Sequence, residues 1–175
     1  MADANRAKAI VVVLMVTVLS AACGTTADSR AAEADGGAVG AQPLDFSAAT
    51  TEGRPFDGST LAGKDVVLWF WAAWCTECRR EAPSVSAVQA ATGDQVSFVG
   101  IAGLGEVDEM RMFVDDYHVD AFPHLVDVDG ALWERFGVTR QPAYAFVDDS
   151  GDVRVVRGEL AKAGLADEVN ALIAN

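Results

Sequence analysis

A run of seven apolar residues at positions 66–72 leads within three residues to a pair of cysteines, Cys75 and Cys78. An unbroken apolar run rich in aromatic and β-branched residues is typical of a strand buried on both faces. We predict that this strand is followed by a helix beginning at the cysteines, which places the Cys75 sulfur at the positive helix end, where a thiolate is stabilised. The pattern therefore predicts chemistry that makes, breaks or exchanges disulfides.

Length and charge narrow the class of protein. The chain has 175 residues, of which 51% are hydrophobic, enough for one globular domain with an additional segment. Its net charge of −13 argues against nucleic acid and anionic lipid surfaces as partners. Three cysteines leave one outside any single pair, so a disulfide framework is excluded.

The N-terminus has the pattern of an export signal. Two basic residues precede an apolar stretch that is shorter than the ~20 residues of a transmembrane helix and ends in small residues. We predict a signal peptide at residues 1–22. Cys23 follows the small residues and resembles the lipid-bearing cysteine of bacterial lipoproteins, although Ser20 stands where that pattern prefers a Leu-like residue. Cleavage near Ala22 without lipidation and an uncleaved anchor are the alternatives.

The remainder divides into a linker and a domain. Residues 23–43 are small and polar without hydrophobic periodicity, which predicts a flexible linker, lipid-anchored through Cys23. Residues 44–175 form the predicted domain. Its predicted elements are strands at 44–48, 66–72, 95–102, 125–128, 143–147 and 153–156, and helices at 75–91, 106–117, 132–136 and 160–173. This order predicts an α/β fold with a central mixed sheet flanked by helices.

Three segments, at 66–83, 136–139 and 141–147, resemble the extracytoplasmic thioredoxin-like proteins of the TlpA/ResA/DsbE group. Within that group the chain is most similar to the secreted DsbE- and DsbF-like thiol–disulfide oxidoreductases of mycobacteria. The resemblance covers about residues 44–173. It implies a thioredoxin fold with an N-terminal strand extension and an insertion before the strand that follows a cis proline.

The resemblance also implies roles for residues around the cysteines. It implies a cis peptide bond before Pro142, and it places Gln141 opposite the cysteines with its backbone available to pair with the substrate chain. It implies that Glu81 lies near the sulfurs and influences their protonation. A solvated carboxylate paired with Arg54 or Lys64 is the alternative for Glu81.

The predicted mechanism gives the two cysteines different roles. Cys75, nearer the helix start and more exposed, forms the mixed disulfide with substrate, and Cys78 resolves it. Trp74, which precedes Cys75, is expected to flank the sulfur and the substrate groove.

The charges around the motif leave the direction of electron flow open. Many relatives have proline inside the motif, where this chain has Thr76 and Glu77. The charge of Glu77 disfavours a thiolate at Cys75, whereas Arg79 and Arg80 favour it. We therefore expect an intermediate reduction potential.

Other chemistries fit the sequence less well. A zinc site would need further ligands, and the candidates His118 and His124 are expected to be surface or loop residues. A peroxidase of the peroxiredoxin type would have Thr or Ser at the position of Ala72.

The sequence thus predicts an exported thiol–disulfide oxidoreductase that uses the Cys75–Cys78 pair and needs neither a dissociable cofactor nor a metal. A reductase for apocytochrome c maturation is the alternative, and a non-catalytic metal-binding lipoprotein is the alternative of another class. Expected partners are cysteine-containing exported proteins and, by resemblance, a DsbD/CcdA-like or quinone-linked membrane electron carrier. We expect a monomer outside the cytoplasmic membrane, lipid-anchored or otherwise secreted.

Overall fold

The computed structural model describes residues 42–175. The predicted signal peptide, Cys23 and nearly all of the predicted linker lie outside the described residues. Within residues 42–175, no helix combines the length and apolar character needed to cross a bilayer.

Seven strands and four α-helices make up the described domain. The strands are β1 (Ser47–Ala49), β2 (Pro55–Asp57), β3 (Val66–Trp71), β4 (Ser97–Gly103), β5 (His124–Asp127), β6 (Ala143–Val147) and β7 (Val153–Arg157). The helices are α1 (Thr76–Thr92), α2 (Val107–Asp116), α3 (Ala131–Arg135) and α4 (Lys162–Ile173). Short 3₁₀ turns lie at Gly58–Leu61 and Gly93–Gln95.

Five of the strands form one mixed sheet in the order β5-β4-β3-β6-β7. Strands β3, β4 and β5 are parallel, and β6 and β7 are antiparallel to their neighbours. Strands β1 and β2 form a separate antiparallel pair. The predicted α/β architecture with a mixed central sheet is confirmed.

Strand β3 is the centre of this sheet, and all six of its residues are buried. Its side chains alternate between two apolar clusters. Trp69 and Trp71 face the cluster that includes residues of α1, α2 and α4, and Leu68 and Phe70 face the cluster that includes residues of α3. Because apolar groups cover both faces, the sequence of β3 has no polar alternation.

The chain before β1 differs from the predicted strand at 44–48. The Asp45 N–H donates to Gln42 O (2.8 Å) and the Phe46 N–H donates to Leu44 O (3.0 Å), so the backbone turns there. The side chains of Leu44 and Phe46 are nevertheless buried in the α3-side cluster. Residues 47–48 of the predicted strand lie in β1, and Phe46 O accepts the Gly58 N–H (2.8 Å), whereas Leu44 is buried in a turn.

The expected surface or loop position is wrong for His124, which lies in β5 and is 1% exposed. Trp71 Nε1 donates to His124 Nδ1 (3.1 Å), and His124 Nε2 lies 2.9 Å from Val119 O. The neutral tautomer with its proton on Nε2 satisfies both contacts. Burial lowers the pKa of His124 to about 4. His118, in contrast, is exposed, as predicted.

The packing of His124 requires a glycine on the neighbouring strand. A Cβ at Gly100 would overlap His124 Nδ1 and approach Trp71 Nε1 to 2.8 Å. We expect Gly100→Ala to lower the free energy of unfolding by about 1–3 kcal/mol, the usual cost of overpacking a core. Denaturant unfolding measures this change.

Gly164→Ala is the matched control, because a Cβ at Gly164 in α4 would make only an ordinary 3.8 Å contact with Leu160. Replacing a helical glycine by alanine should raise the free energy of unfolding by up to about 1 kcal/mol. Equal effects of the two substitutions would contradict the packing argument for Gly100.

Candidate active site

Cys75 is the N-cap residue of α1, and its placement follows from the end of β3. The Cys75 N–H donates to Ala72 O (3.0 Å), which turns the chain out of the sheet. Cys75 then adopts an extended conformation (φ −74°, ψ 117°), and its Sγ accepts a hydrogen bond from the Cys78 N–H (3.1 Å). The first turn of α1 therefore points a backbone N–H at the Cys75 sulfur.

Cys75 and Cys78 form a disulfide, with their Cα atoms 5.3 Å apart. Cys75 is 2% exposed and Cys78 is completely buried. Cys75 is thus more exposed than Cys78, as expected, but the two exposed fractions differ little. The large apolar side chain exposed next to the disulfide is that of Trp74, whose Nε1 donates to Leu104 O (2.6 Å).

The charged residues of the motif act unequally on the Cys75 sulfur. Glu77 Oε2 lies 3.9 Å from Cys75 Sγ. Arg80 forms a salt bridge with Glu159, which offsets its charge. Arg79 donates from Nε (2.9 Å) and Nη2 (2.6 Å) to Ala73 O. Of the opposing charges identified in the sequence, that of Glu77 is therefore the one placed directly against the sulfur.

Glu81 lies on α1 one turn beyond Cys78 and is 2% exposed. Trp69 Nε1 donates to Glu81 Oε1 (2.6 Å), and the Leu160 N–H donates to Oε2 (3.2 Å). Burial raises the pKa of Glu81 to about 7, against the lowering effect of these hydrogen bonds. The alternative of a solvated carboxylate is wrong, because Glu81 lies in the interior and Arg54 pairs with Glu52.

Tyr144 is a residue near the site that the sequence did not single out. It is the cross-strand partner of Trp69, so both side chains lie on the α1 side of the sheet. Its buried hydroxyl has no hydrogen-bond partner among residues 42–175. Burial, with the charge of Glu81 as a second cause, raises the pKa of Tyr144. The alternation of side chains along β6 indicates which residues share a face of the sheet. It does not show that Tyr144 lies opposite Trp69, because that depends on the register between β6 and β3.

The peptide bond between Gln141 and Pro142 is cis, as the resemblance implied. Ala143 pairs with Phe70, so Pro142 continues β6 toward the end of β3 from which the cysteines follow. Pro142 is buried and its carbonyl accepts from the Gly158 N–H (2.8 Å). Within the described part of the chain, the backbone N–H and C=O of half-buried Gln141 make no hydrogen bond.

The described residues, 42–175, do not bring together ligands for the metal-binding alternative. Both ring nitrogens of His124 make hydrogen bonds in the core, and His118 is exposed in the turn after α2. Across residues 42–175, no group of three or more His, Cys, Asp or Glu side chains is placed to share a metal ion.

The raised pKa of Glu81 predicts a component of stability that decreases with pH. The pKa is 4.5 in an unperturbed chain and about 7 in the fold, so the folded state binds the proton more tightly. The free energy of unfolding should therefore fall by about 3 kcal/mol as the pH rises from 4.5 through 7. Glu81→Gln should remove this component, which denaturant unfolding across the pH range measures.

His124 changes the free energy of unfolding with pH in the opposite direction to Glu81, so its contribution must be separated from that of Glu81. Its pKa is lowered, so its contribution is complete above pH 6.5 and is lost as the pH falls toward 4. Because His124 is present in both proteins, the difference between the wild type and Glu81→Gln isolates Glu81. Parallel stability curves for the two proteins would contradict the assignment.

Comparison with known proteins identifies the family of this site. The AhpC/TSA family pattern matches residues 39–156. The chain is 40% identical over 173 residues to the soluble secreted antigen MPT53 of Mycobacterium tuberculosis, covering 99% of this chain and 91% of that protein. It is 27% identical over 135 residues to the thiol-disulfide oxidoreductase ResA of Bacillus subtilis, covering 76% of this chain and 75% of that protein.

Solved structures agree with these sequence relatives. The chain is similar to MTB dsbF in its mixed oxidized and reduced forms (TM-score 0.73, 51% identity), covering 75% of this chain and 98% of that one. It is also similar to a secreted Mycobacterium tuberculosis disulfide oxidoreductase homologous to E. coli DsbE (TM-score 0.71, 43% identity, 74% and 98% covered). The exposed lipoprotein thioredoxin Etrx1 of Streptococcus pneumoniae is a more distant neighbour (TM-score 0.65, 26% identity, 73% and 99% covered).

The thioredoxin fold and the disulfide at the start of α1 agree with these relatives, as the sequence predicted. The chain therefore belongs to the AhpC/TSA family and, within it, to the thioredoxin-like thiol–disulfide oxidoreductases that include the secreted DsbE- and DsbF-like proteins.

Proposed function

We propose that this chain exchanges disulfides with cysteine-containing exported proteins, with Cys75 as the residue that bonds to substrate and Cys78 as the resolving residue. The observation that carries this proposal is the disulfide between the N-cap residue of α1 and a residue of its first turn. A thiolate at Cys75 would lie at the positive end of the helix and accept the Cys78 N–H, whereas Cys78 is completely buried.

The oxidising half-reaction consumes one disulfide and forms another. A substrate thiolate attacks Cys75 Sγ, forms a mixed disulfide and releases Cys78 as a thiolate, which takes up a proton. A second substrate thiolate then attacks the substrate sulfur, and Cys75 leaves as a thiolate. The substrate gains a disulfide, and the protein retains two electrons in its reduced cysteine pair. Reduction of a substrate disulfide follows the same steps in reverse.

Glu81 is proposed to exchange protons with the cysteine pair. Its pKa of about 7 allows it to gain and lose a proton near neutral pH, and it lies one turn beyond Cys78 on the same helix. Its contacts with Trp69 and Leu160 restrict the orientation of the carboxyl group.

Substrate binding is proposed at Trp74, Gln141 and Pro142. Trp74 offers an exposed apolar surface beside Cys75. The unpaired backbone groups of Gln141 can hydrogen-bond to an extended chain, as a sheet edge does. Pro142 directs this backbone toward the end of β3.

A first experiment tests whether the cysteine pair is active. We expect the full chain to catalyse insulin reduction by dithiothreitol and to form disulfides in a reduced, unfolded protein. Cys75→Ser should abolish both activities. An inert wild-type protein would contradict the proposed function.

The proposed location is outside the cytoplasmic membrane, with residues 1–22 as signal peptide, 23–43 as linker and 44–175 as the domain. Relatives described as secreted, and one described as an exposed lipoprotein, support export. Electrons would be exchanged with a DsbD/CcdA-like or quinone-linked membrane carrier, and the protein would act as a monomer.

Lipidation of Cys23 has its own test. We expect the protein expressed in its native type of host to incorporate a labelled fatty acid, and Cys23→Ser to eliminate the label, because Cys23 follows the small residues of the signal. Cys75→Ser is the control and should retain the label. A wild-type protein without label would support simple secretion.

The placement of Glu77 predicts the reduction potential. A carboxylate 3.9 Å from Cys75 Sγ destabilises the thiolate, and a less stable reduced form makes the protein less oxidising. The helix end acts in the opposite direction. We expect a value between about −270 mV, that of thioredoxin, and about −120 mV, that of the strong oxidant DsbA.

Glu77→Gln should stabilise the Cys75 thiolate and raise the reduction potential by about 20–30 mV, because an exposed charge at this distance contributes ~1 kcal/mol. Equilibration with glutathione mixtures measures the shift. The control is Glu134→Gln, since Glu134 is exposed on α3, which packs on the opposite face of the sheet. An unchanged or lower potential for Glu77→Gln would contradict the assignment.

A further inference from the structure

A groove lies on the side of Trp74 that faces helix α2. It has a volume of about 310 Å³ and is lined by residues that precede or begin α1 and by one face of α2. We call it the α2 groove. The lining residues that could contact a ligand through a charged or large side chain are Trp74, Arg79, Glu109, Met112, Asp116 and Tyr117. Trp74 belongs both to this groove and to the substrate surface proposed above, whereas Gln141 and Pro142 do not line the groove, so the groove extends that surface towards α2.

Large apolar side chains are exposed in and beside this groove. Met112 is 57% exposed and Trp74 is 54% exposed, and both line the groove. Leu104, whose carbonyl accepts the Trp74 indole hydrogen bond, is also exposed. Contiguous exposed apolar surface of this kind marks a binding site, and methionine and aromatic residues are enriched in such sites.

The pattern of α2 explains why Met112 is not in the core. Met110, Phe113 and Val114 are the buried residues of this helix. Met112 projects away from the sheet and is followed one turn later by Asp116, with Glu109 one turn before it. These three residues form a stripe in which an apolar side chain lies between two carboxylates about 10 Å apart along the helix.

Charge in the groove favours a cation. Within residues 42–175, Asp116 makes no ion pair or side-chain hydrogen bond. The Glu109 carboxylate accepts the Glu106 N–H through Oε2 (3.4 Å) as part of the capping box at the start of α2, and its Oε1 makes no hydrogen bond within residues 42–175. The one basic residue of the lining, Arg79, directs Nε and Nη2 to Ala73 O. The two carboxylates outnumber the single guanidinium, so the groove carries a net negative charge beside an apolar wall.

We propose that the α2 groove binds a segment of the substrate polypeptide next to its reactive cysteine, and that this segment carries an apolar side chain flanked by lysine or arginine. The inference rests on the proposed function and adds a substrate preference to it. An extended chain advances about 3.3 Å per residue, so basic residues on either side of an apolar one reach Glu109 and Asp116 while the apolar side chain lies against Met112 and Trp74.

Charge disfavours two other occupants. A second copy of this chain would bring a net charge of −13 to an acidic groove. The predicted linker, residues 23–43, contains Asp28, Glu33 and Asp35 but only one basic residue, Arg30. A basic substrate is the complementary partner.

The test uses the reduced full chain and two peptides of equal length, each with its cysteine in a mixed disulfide with glutathione. One peptide carries Lys-Ser-Leu-Ser-Lys next to the cysteine, and the other carries Glu-Ser-Ser-Ser-Glu. Cys75 attacks the peptide sulfur and releases glutathione, and Cys78 then releases the peptide thiol, leaving the protein oxidised. Tryptophan fluorescence follows the rate.

We expect the basic peptide to react about tenfold faster, because two exposed carboxylate–cation pairs and one apolar contact each contribute a factor of a few. The double variant Glu109→Gln with Asp116→Asn, and separately Met112→Ser, should reduce this ratio toward one. The control double variant Asp115→Asn with Asp120→Asn removes the same charge from exposed residues outside the groove and should keep the ratio.

Three results distinguish this inference from the proposed function. If the wild type reduces the neutral hydroxyethyl disulfide but reacts equally with both peptides, the groove inference is overturned and the function stands. If the wild type reduces no disulfide, the groove is tested by the binding of peptides in which serine replaces the cysteine. A preference for the basic peptide that is lost in the Glu109→Gln with Asp116→Asn variant would then support the groove inference without the proposed function, and equal binding of the two peptides would overturn it. If the wild type is a dimer in solution and the Glu109→Gln with Asp116→Asn variant is a monomer, the inference is overturned, because a second copy would then occupy the groove.

Discussion

The complete burial of β3 determines where the chemistry of this protein lies. Strand β3 is hydrogen-bonded on both edges and covered on both faces, so its end has one position relative to the sheet. The chain must leave the sheet there, and the next helix begins at Cys75. The sulfurs therefore derive their position from apolar packing several residues earlier.

The two indoles on the α1 side of β3 hold two buried titratable groups in place. Trp69 donates to Glu81, and Trp71 donates to His124. Burial favours the neutral form of each group, with the carboxyl pKa raised and the imidazole pKa lowered. Phe113 of α2 stacks on Trp71 and also packs against Trp69. The core therefore connects the α2 groove with the surroundings of both groups.

Much of this arrangement could be predicted from the sequence, because several signals are local. The apolar run, the spacing of Cys75 and Cys78, and the resemblance that implied a cis bond before Pro142 each correspond to a feature of the structure. The burial of Glu81 and His124 could not be predicted, since their indole partners lie 12 and 53 residues earlier in the chain. The pairing of Tyr144 with Trp69 depends on strand register, and the exposure of Met112 depends on the rotation of α2.

The contact of Trp71 with His124 across Gly100 has a consequence for how this sequence can vary. The imidazole fits only because position 100 lacks a side chain, and its Nδ1 is satisfied only because position 71 supplies an indole N–H. A larger residue at 100 would require a smaller one at 124, which would in turn leave the indole without an acceptor. These three positions should therefore covary among relatives as one unit, independently of the cysteines that define the family.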